Sequence, residues 1–270
     1  MAVVAEQGGL DSVWVADHLL FHRPDGQVSG AGESIAILGA LADATERVEL
    51  GPLVLCTPLR NPGLIAWAAN TLDEISGGRF VLGLGAGWNE PEFRAFGFEF
   101  DRKVTLFDES LSVIAPLLRD GRVDYEGRLT RAEAELRPPG PRRSGPPILV
   151  ASTRPRMMLL AARWADRWNS VWYGLPNEEF RDEQRRLEAA CMDIGRDPNT
   201  IEVSAGIVIR DSQAAGRDWP EGIDGSVDQI AEGLAAWRDE GVDEVMCRQE
   251  PASPDLVERI ARAAQLLDNE

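Results

Sequence analysis

Short apolar runs alternate with amphipathic stretches along most of the chain. Runs such as residues 12–17 and 80–84 have strand length and few charges, which is typical of strands buried on both faces of a parallel sheet. The stretches between the runs carry helix start signals, such as Asn61 followed by Pro62. This alternation predicts βαβ units joined by right-handed crossovers.

Counting the predicted elements narrows the fold. The seven predicted strands cover residues 12–17, 48–55, 80–84, 147–151, 170–173, 201–209 and 242–247. Eight helices are predicted with them, and the first helix precedes the first strand. A (β/α)8 TIM barrel has eight of each, so we expect an α/β fold of this class, a single domain over residues 1–270, that lacks its first β-strand by this count. Residues 120–146 are expected to form a long irregular surface connection.

The absent strand has two explanations. Either the true start lies upstream and a first strand precedes residue 1, or the barrel is open and its second and eighth strands have unpaired edges. We favour the misplaced start. The other explanation predicts a truncated or catalytically impaired barrel.

The run RFVLGLGAGWN at residues 79–89 joins a buried strand to a loop of alternating glycines. Gly83, Gly85 and Gly87 remove side chains from every second position, so the backbone can approach a ligand or turn with positive φ. Tight packing between strands and helices requires the same residues. Both interpretations stay open from the residues alone.

Charge and cysteine usage exclude several classes of protein. The net charge is −17 at pH 7, which argues against nucleic acid or an anionic membrane as a partner. Three cysteines without CxxC spacing predict neither a disulfide framework nor a metal site. The sequence has no apolar run of membrane-spanning length and no signal peptide pattern, so a cytoplasmic location is expected.

Several motifs in a fixed order resemble one family. They are LDSVWVADH at 10–18, ATERVELGPLVL at 44–55, PLRNP at 58–62, TLDEISGGRFVLGLGAGWNEPEF at 71–93, PPILVAS at 146–152 and AARWADRWN at 161–169. With these the chain resembles the luciferase-like oxidoreductases, which are βα barrels that use reduced FMN or the deazaflavin coenzyme F-420. The match runs from residue 2 to about residue 250.

The resemblance implies a cofactor site at the strand ends. Its expected residues are Asp17, Leu53, Val54, Thr57, Gly85, Ala86, Gly87, Ala151, Ser152, Thr153 and Arg154. Leu53–Val54 matches the place where relatives that use the deazaflavin carry a cis peptide without proline. Residues 152–154 resemble the family's phosphate-binding turn, because two hydroxyls and an arginine stand where a helix dipole favours anions. An ordinary helix cap with a solvated arginine is the alternative.

His18 is the expected catalytic residue, since it ends a strand and matches the family's Asp-His pair. The expected substrate pocket contains Trp88, Glu90 and Trp172, and Glu92 is a nearby carboxylate for which solvation is the more common state. The sugar-phosphate dehydrogenases of the family place a glutamate directly after the glycine turn and a tryptophan four residues after the histidine. This chain has Trp88 and His22 there, which argues against sugar-phosphate oxidation.

We therefore expect an oxidoreductase that transfers a hydride between coenzyme F-420 and a small organic substrate. F-420 is favoured because one lysine among 28 basic residues suggests a GC-rich bacterial genome, where that coenzyme is common. The alternative is a monooxygenase that uses reduced FMN from a separate flavin reductase. A flavin or deazaflavin reductase and a second copy in a homodimer are the expected protein partners.

Overall fold

A computed structural model describes residues 1–22, 27–211 and 222–268. Its helices are α1 (Ala2–Gln7), α2 (Ser34–Ala44), α3 (Pro62–Ile75), α4 (Glu90–Ala95), α5 (Lys103–Arg119), α6 (Pro155–Trp164), α7 (Glu178–Asp193), α8 (Val227–Asp239) and α9 (Pro254–Asp268). Its strands are β1 (Ser12–Val15), β2 (Phe21–His22), β3 (Val28–Ser29), β4 (Glu49–Pro52), β5 (Leu55–Cys56), β6 (Leu82–Gly85), β7 (Arg122–Glu126), β8 (Arg131–Glu135), β9 (Ile148–Ala151), β10 (Arg167–Tyr173), β11 (Glu202–Arg210), β12 (Ile223–Asp224) and β13 (Glu244–Glu250). Within the described ranges, every helix is too short or too polar to span a bilayer.

The chain forms two compact units. The central unit is Trp14–Ala151, and the terminal unit joins Met1–Val13 to Ser152–Glu270. The prediction of a single domain stays a prediction.

The central unit contains parallel strands that bury their apolar residues on both faces. Leu55 pairs with Leu84, and Leu82 pairs with Ile148, so β5, β6 and β9 are neighbours with the same direction. All four side chains are nearly inaccessible. Such complete burial is the reason these strands have almost no polar residues.

The predicted strand at residues 48–55 is divided in the structure. It consists of β4 and β5, and the Leu53–Val54 peptide bond between them is cis. The Leu53 N–H donates to Val15 O at 2.9 Å, which connects this segment to the end of β1.

The irregular connection predicted after α5 was wrong in part, because β7 and β8 form an antiparallel hairpin in which Val123 pairs with Ala134. Glu109 of α5 accepts hydrogen bonds from Leu129 N and Thr130 N, both at 2.8 Å, and so holds the turn of the hairpin. Charged residues at the exposed positions of both strands alternate with Val123, Tyr125, Ala132 and Ala134, which is the pattern of a half-buried strand, so the sequence carried a signal that the prediction missed.

After His18, β2 and β3 pair in antiparallel fashion, with Phe21 opposite Ser29. His22 stands where the sugar-phosphate dehydrogenases of the family have a tryptophan. Its side chain lies outside the described part of the chain, and so do residues 23–26.

The terminal unit has its own parallel strands. β11 lies between β10 and β13, with Gly206 opposite both Val171 and Met246. Trp168, Phe180 and Trp237 are fully buried in its core. Helix α1 packs against α9 in this unit, and Gln265 Nε2 donates to Gly8 O at 2.9 Å.

Candidate active site

The carboxyl ends of three strand segments lie side by side in the central unit. His18 follows β1, Thr57 follows β5, and Trp88 follows β6. Cys56 pairs with Gly85 in the sheet, and Cys56 N donates to Asp17 Oδ2 at 2.8 Å, so the three ends are in direct contact. Loops at the carboxyl ends of strands carry the active site in parallel α/β barrels.

His18 is bound to a buried carboxylate. Its Nδ1 lies 3.0 Å from Oε2 of Glu92, a residue with 2% of its surface exposed. The other oxygen of Glu92, Oε1, accepts hydrogen bonds from Leu19 N at 2.7 Å and Leu20 N at 3.1 Å. The His18 side chain itself is 23% exposed, so part of the ring can meet a ligand.

The backbone around His18 is fixed from both sides. Ala31 N donates to His18 O at 3.0 Å, and the Asn89 side chain donates to Leu20 O at 2.8 Å. Asn89 and Glu92 are therefore two anchors from the segment after β6 that hold the segment after β1. A side chain on a backbone held in this way has a defined position before any ligand binds.

Two aromatic rings flank the imidazole. Phe21 lies 4.4 Å from His18 between ring centroids, and Trp88 lies 5.3 Å away in an edge-to-face arrangement. Trp88 is 66% exposed, so a large apolar surface faces solvent next to the candidate catalytic group. Such a surface suits an apolar or planar ligand better than a charged one.

Asp17 is fully engaged inside the protein. Its oxygens accept two hydrogen bonds from Arg60, at 2.7 and 2.8 Å, one from Ser34 at 2.7 Å and one from Cys56 N. Burial works against the charge of Arg60, but the hydrogen bonds and charges of Asp17 and Glu33 outweigh it and raise its pKa. Asp17 therefore positions strand ends here, and its predicted contact with a cofactor stays a prediction.

Cys56 is also buried at this place. Desolvation, followed by the negative charges of Asp17 and Glu92, raises the pKa of its thiol to about 12. The thiol therefore stays protonated at neutral pH and is a poor nucleophile.

The glycine loop is required by the protein's own packing. A Cβ on Gly85 would lie 2.6 Å from Val54 Cγ2, and a Cβ on Gly87 would lie 2.5 Å from Cys56 Sγ. Gly87 also has φ of +76°, which favours glycine. Ala86 between them is buried. These contacts favour the packing explanation that the sequence left open, and contact with a cofactor stays a prediction.

Thr57 offers a buried polar atom at the same strand ends. It is completely inaccessible, and within the described ranges its hydroxyl has no hydrogen-bond partner. Buried hydroxyls without a partner are uncommon in proteins, so this one fits a polar ligand atom or a water. Leu53 and Val54 next to it are partly exposed.

The predicted phosphate-binding turn lies at the start of α6. Ser152 is buried, and its hydroxyl lies 3.0 Å from Trp168 Nε1 and 3.3 Å from Met158 Sδ. Thr153 is half-buried, Arg154 is exposed, and the helix begins at Pro155 without a side-chain cap. The donors that fit an anion here are Thr153 and Arg154, while the Ser152 hydroxyl is already in use. Ala151 precedes them at the end of β9 and is half-buried.

The remaining predicted pocket residues have different surroundings. Trp172 is half-buried, and Arg248 lies 5.7 Å above its ring in the terminal unit. Glu90 belongs to α4 and forms a salt bridge of 2.6 Å with the exposed Arg94. In the residues that the structure describes, no group of three or more histidine, cysteine or acidic side chains could hold a metal ion.

A family model described as luciferase-like monooxygenase matches residues 1–220. The chain belongs to the luciferase-like monooxygenase family. This confirms the resemblance found in the sequence.

Relatives within the luciferase-like family include enzymes with known substrates. An F-420-dependent glucose-6-phosphate dehydrogenase from Amycolatopsis mediterranei is 36% identical over 172 residues, which are 61% of this chain and 50% of the relative. A phthiodiolone/phenolphthiodiolone dimycocerosates ketoreductase from Mycobacterium tuberculosis is 33% identical over 227 residues, with 73% of this chain and 56% of the relative covered. The chain thus spans about half the length of the curated relatives it matches.

Solved structures show the fold of the luciferase-like chain. An F-420-dependent secondary alcohol dehydrogenase, solved with an F-420-acetone adduct, superposes with a TM-score of 0.81 at 20% identity. The superposition covers 97% of this chain and 92% of the other. It confirms the predicted α/β fold of the TIM-barrel class.

Glu92 is the residue that sequence reasoning undervalued in this luciferase-like chain. We expected a solvated loop carboxylate, but Glu92 lies in α4, is buried, and binds His18. The signal was Pro91 directly after Asn89 and Glu90, a helix start that turns Glu92 and Phe93 inward. Predicting this short helix would have drawn attention to Glu92.

Proposed function

We propose that this luciferase-like protein is an oxidoreductase that transfers a hydride between coenzyme F-420 and a small organic substrate. The observation that carries the proposal is the His18–Glu92 pair, which presents a partly exposed imidazole at the carboxyl ends of the strands. The names of relatives that depend on F-420 or reduce ketones support the same class of reaction.

Each unit contains groups that fit part of such a cofactor. In the central unit, the buried hydroxyl of Thr57 has no partner among the described residues and fits a polar ring atom. In the terminal unit, Thr153 and Arg154 are the groups that fit an anion. The bound deazaflavin would supply the hydride chemistry. The protein would supply the binding groups and a proton-exchanging imidazole at His18.

The surroundings of His18 favour an uncharged, apolar substrate. Trp88 and Phe21 flank the imidazole, and among the described residues the charged partner of His18 is a carboxylate, which would repel a phosphate. We therefore propose a small alcohol or ketone in preference to a sugar phosphate.

Titration of the purified protein with each cofactor tests the proposal. Because the chain has eight tryptophans, intrinsic fluorescence reports binding. We expect saturable quenching by F-420 and a much weaker response to FMN. Tight FMN binding without any response to F-420 would overturn the choice of cofactor.

A matched pair of arginine variants sharpens the titration. Arg154→Ala should weaken F-420 binding about 10-fold to 100-fold, because a charged hydrogen bond to the anionic tail is lost. Arg163→Ala, in the last turn of the same helix, is the control and should bind as the wild type does. If Arg154→Ala and Arg163→Ala bind F-420 with equal affinity, the anionic tail of the cofactor does not bind at the start of α6.

The alternative is a monooxygenase that receives reduced FMN from a separate reductase. The family description favours it, since it names monooxygenases. Oxygen consumption that requires reduced FMN, and is absent with F-420, would select the monooxygenase.

The expected homodimer is part of the proposal too, and light scattering of the purified protein measures the oligomeric state.

A further inference from the structure

We propose that Glu92 is a positioning residue that fixes the tautomer of His18, with the proton on Nδ1 and an unprotonated Nε2 left for the ligand. The consequence for catalysis rests on the proposed function. The tautomer itself does not, and it can be measured without any substrate or cofactor.

The hydrogen bonds of Glu92 determine which His18 nitrogen carries the proton. An ionised carboxylate only accepts hydrogen bonds, and Glu92 already accepts two from the backbone at Leu19 and Leu20. Nδ1 of His18 must therefore be the donor in the 3.0 Å contact with Oε2. In a neutral imidazole the other nitrogen, Nε2, is then an acceptor.

Both partners are held in place by the fold. Glu92 lies in the first turn of α4, and Asn89 just before this helix binds the carbonyl of Leu20. Phe21 and Trp88 pack against the imidazole and oppose a ring flip. A flip would also break the hydrogen bond to a carboxylate that is 2% exposed and has little water to replace it.

Asp17 cannot perform this task, although it directly precedes His18. Both of its oxygens are occupied by Arg60, Ser34 and the backbone of Cys56. The carboxylate partner of His18 is therefore 74 positions away along the chain. Among the described residues, His18 Nε2 has no recorded hydrogen-bond partner.

Nitrogen NMR on histidine-labelled protein tests the proposal. The chain has only two histidines, so a His22→Gln background leaves a single imidazole to observe. At about pH 9, where an ordinary imidazole is neutral, we expect the proton on Nδ1 in more than about nine tenths of molecules. This first measurement is made with Glu92 in place. A spectrum dominated by the Nε2–H tautomer would overturn the proposal.

Glu92→Gln then reverses the expected tautomer. The amide oxygen can keep the two backbone donors, so the amide nitrogen faces His18 and donates to Nδ1. We expect the Nε2–H form to become dominant, a change of at least about 10-fold in the tautomer ratio. Glu90→Gln on the same helix is the matched control and should leave the spectrum unchanged, because Glu90 pairs with Arg94.

A second readout separates this proposal from the proposed function. If the protein is the oxidoreductase described above, Glu92→Gln should lower kcat at least about 10-fold while KM changes less than about threefold. A chain without any turnover refutes the proposed function and leaves the tautomer result standing. An unchanged tautomer in folded Glu92→Gln refutes the role of Glu92 whatever the activity is.

Discussion

Two buried glutamates in this chain bind side chains that can change protonation, and they do so in very different surroundings. In the central unit, Glu92 binds His18, whose side chain is 23% exposed. In the terminal unit, Glu183 of α7 binds Tyr173 at 2.8 Å, and Tyr173 is 5% exposed. The first group can reach a ligand and the second cannot.

The neighbours of the two pairs explain the difference. Tyr173 packs against Phe180 and Trp237, and it shares Glu183 with the buried hydroxyl of Ser170. Burial, and after it the nearby Glu183, raises the pKa of Tyr173 far above its usual value. A carboxylate with a titratable partner is therefore evidence of chemistry only where the partner remains accessible.

Replacing His18 gives the largest expected effect. His18→Gln should lower turnover by at least about 100-fold, because the proton-exchanging group is lost. The free energy of unfolding should fall by about 1–3 kcal/mol, because the buried carboxylate of Glu92 loses a hydrogen-bond donor. Steady-state kinetics and urea unfolding measure the two quantities, with His22→Gln as control. Near-normal turnover in His18→Gln would show that the Glu92–His18 pair has no larger role in chemistry than the Glu183–Tyr173 pair.

Removing Glu183 should affect stability instead. Glu183→Ala leaves the hydroxyls of Ser170 and Tyr173 buried without their acceptor, which should destabilise the fold by about 2–3 kcal/mol. The melting temperature should fall by about 5–10 °C. Turnover well below that temperature should stay within about threefold of the wild type. A selective loss of kcat in folded protein would assign chemistry to this pair.

A smaller change removes only the phenol oxygen. Tyr173→Phe keeps the ring between Phe180 and Trp237 and loses one hydrogen bond to Glu183, so it should cost about 1 kcal/mol of unfolding free energy. Chemical denaturation measures this change. A variant as unstable as Glu183→Ala would show that the phenol, and not the carboxylate, organises the cluster.

The pH dependence of the phenol gives the smallest effect. Tyr173 has a raised pKa in the folded state, so its contribution to stability is complete below the ordinary tyrosine pKa of 10.0 and is lost as the pH rises beyond it. In a Tyr125→Phe background, only Tyr173 can form tyrosinate. Ultraviolet absorbance should show no tyrosinate until the protein unfolds. Ionisation of Tyr173 in the native protein near pH 10 would contradict the burial of its phenol.

The sequence predicted the larger elements well and the polar contacts poorly. The strand predicted at residues 201–209 matches β11 to within one residue at each end, and the strand and loop at residues 79–89 lie where they were expected. Buried apolar strands and long helices have strong local patterns. This is why the fold class could be predicted without any tertiary information.

The contacts that define the site depend on distant pairs. Glu92 and His18 are 74 positions apart, and the separation of Arg60 from Asp17 is 43. A charged residue in a short polar stretch reads as solvated until burial is known, which is why Glu92 was undervalued. The position of His18 could be predicted because a polar residue at a strand end has a defined place in a barrel, while its catalytic role stays a prediction.

Chemical modification of His18 tests the central claim most directly. In the His22→Gln background, diethyl pyrocarbonate should modify His18 in the native protein, because its side chain is 23% exposed and Nε2 is the nitrogen that is not bound to Glu92. Turnover should fall in proportion to the modified fraction, and saturating cofactor should slow the reaction. Full turnover in protein whose His18 is completely modified would contradict the account.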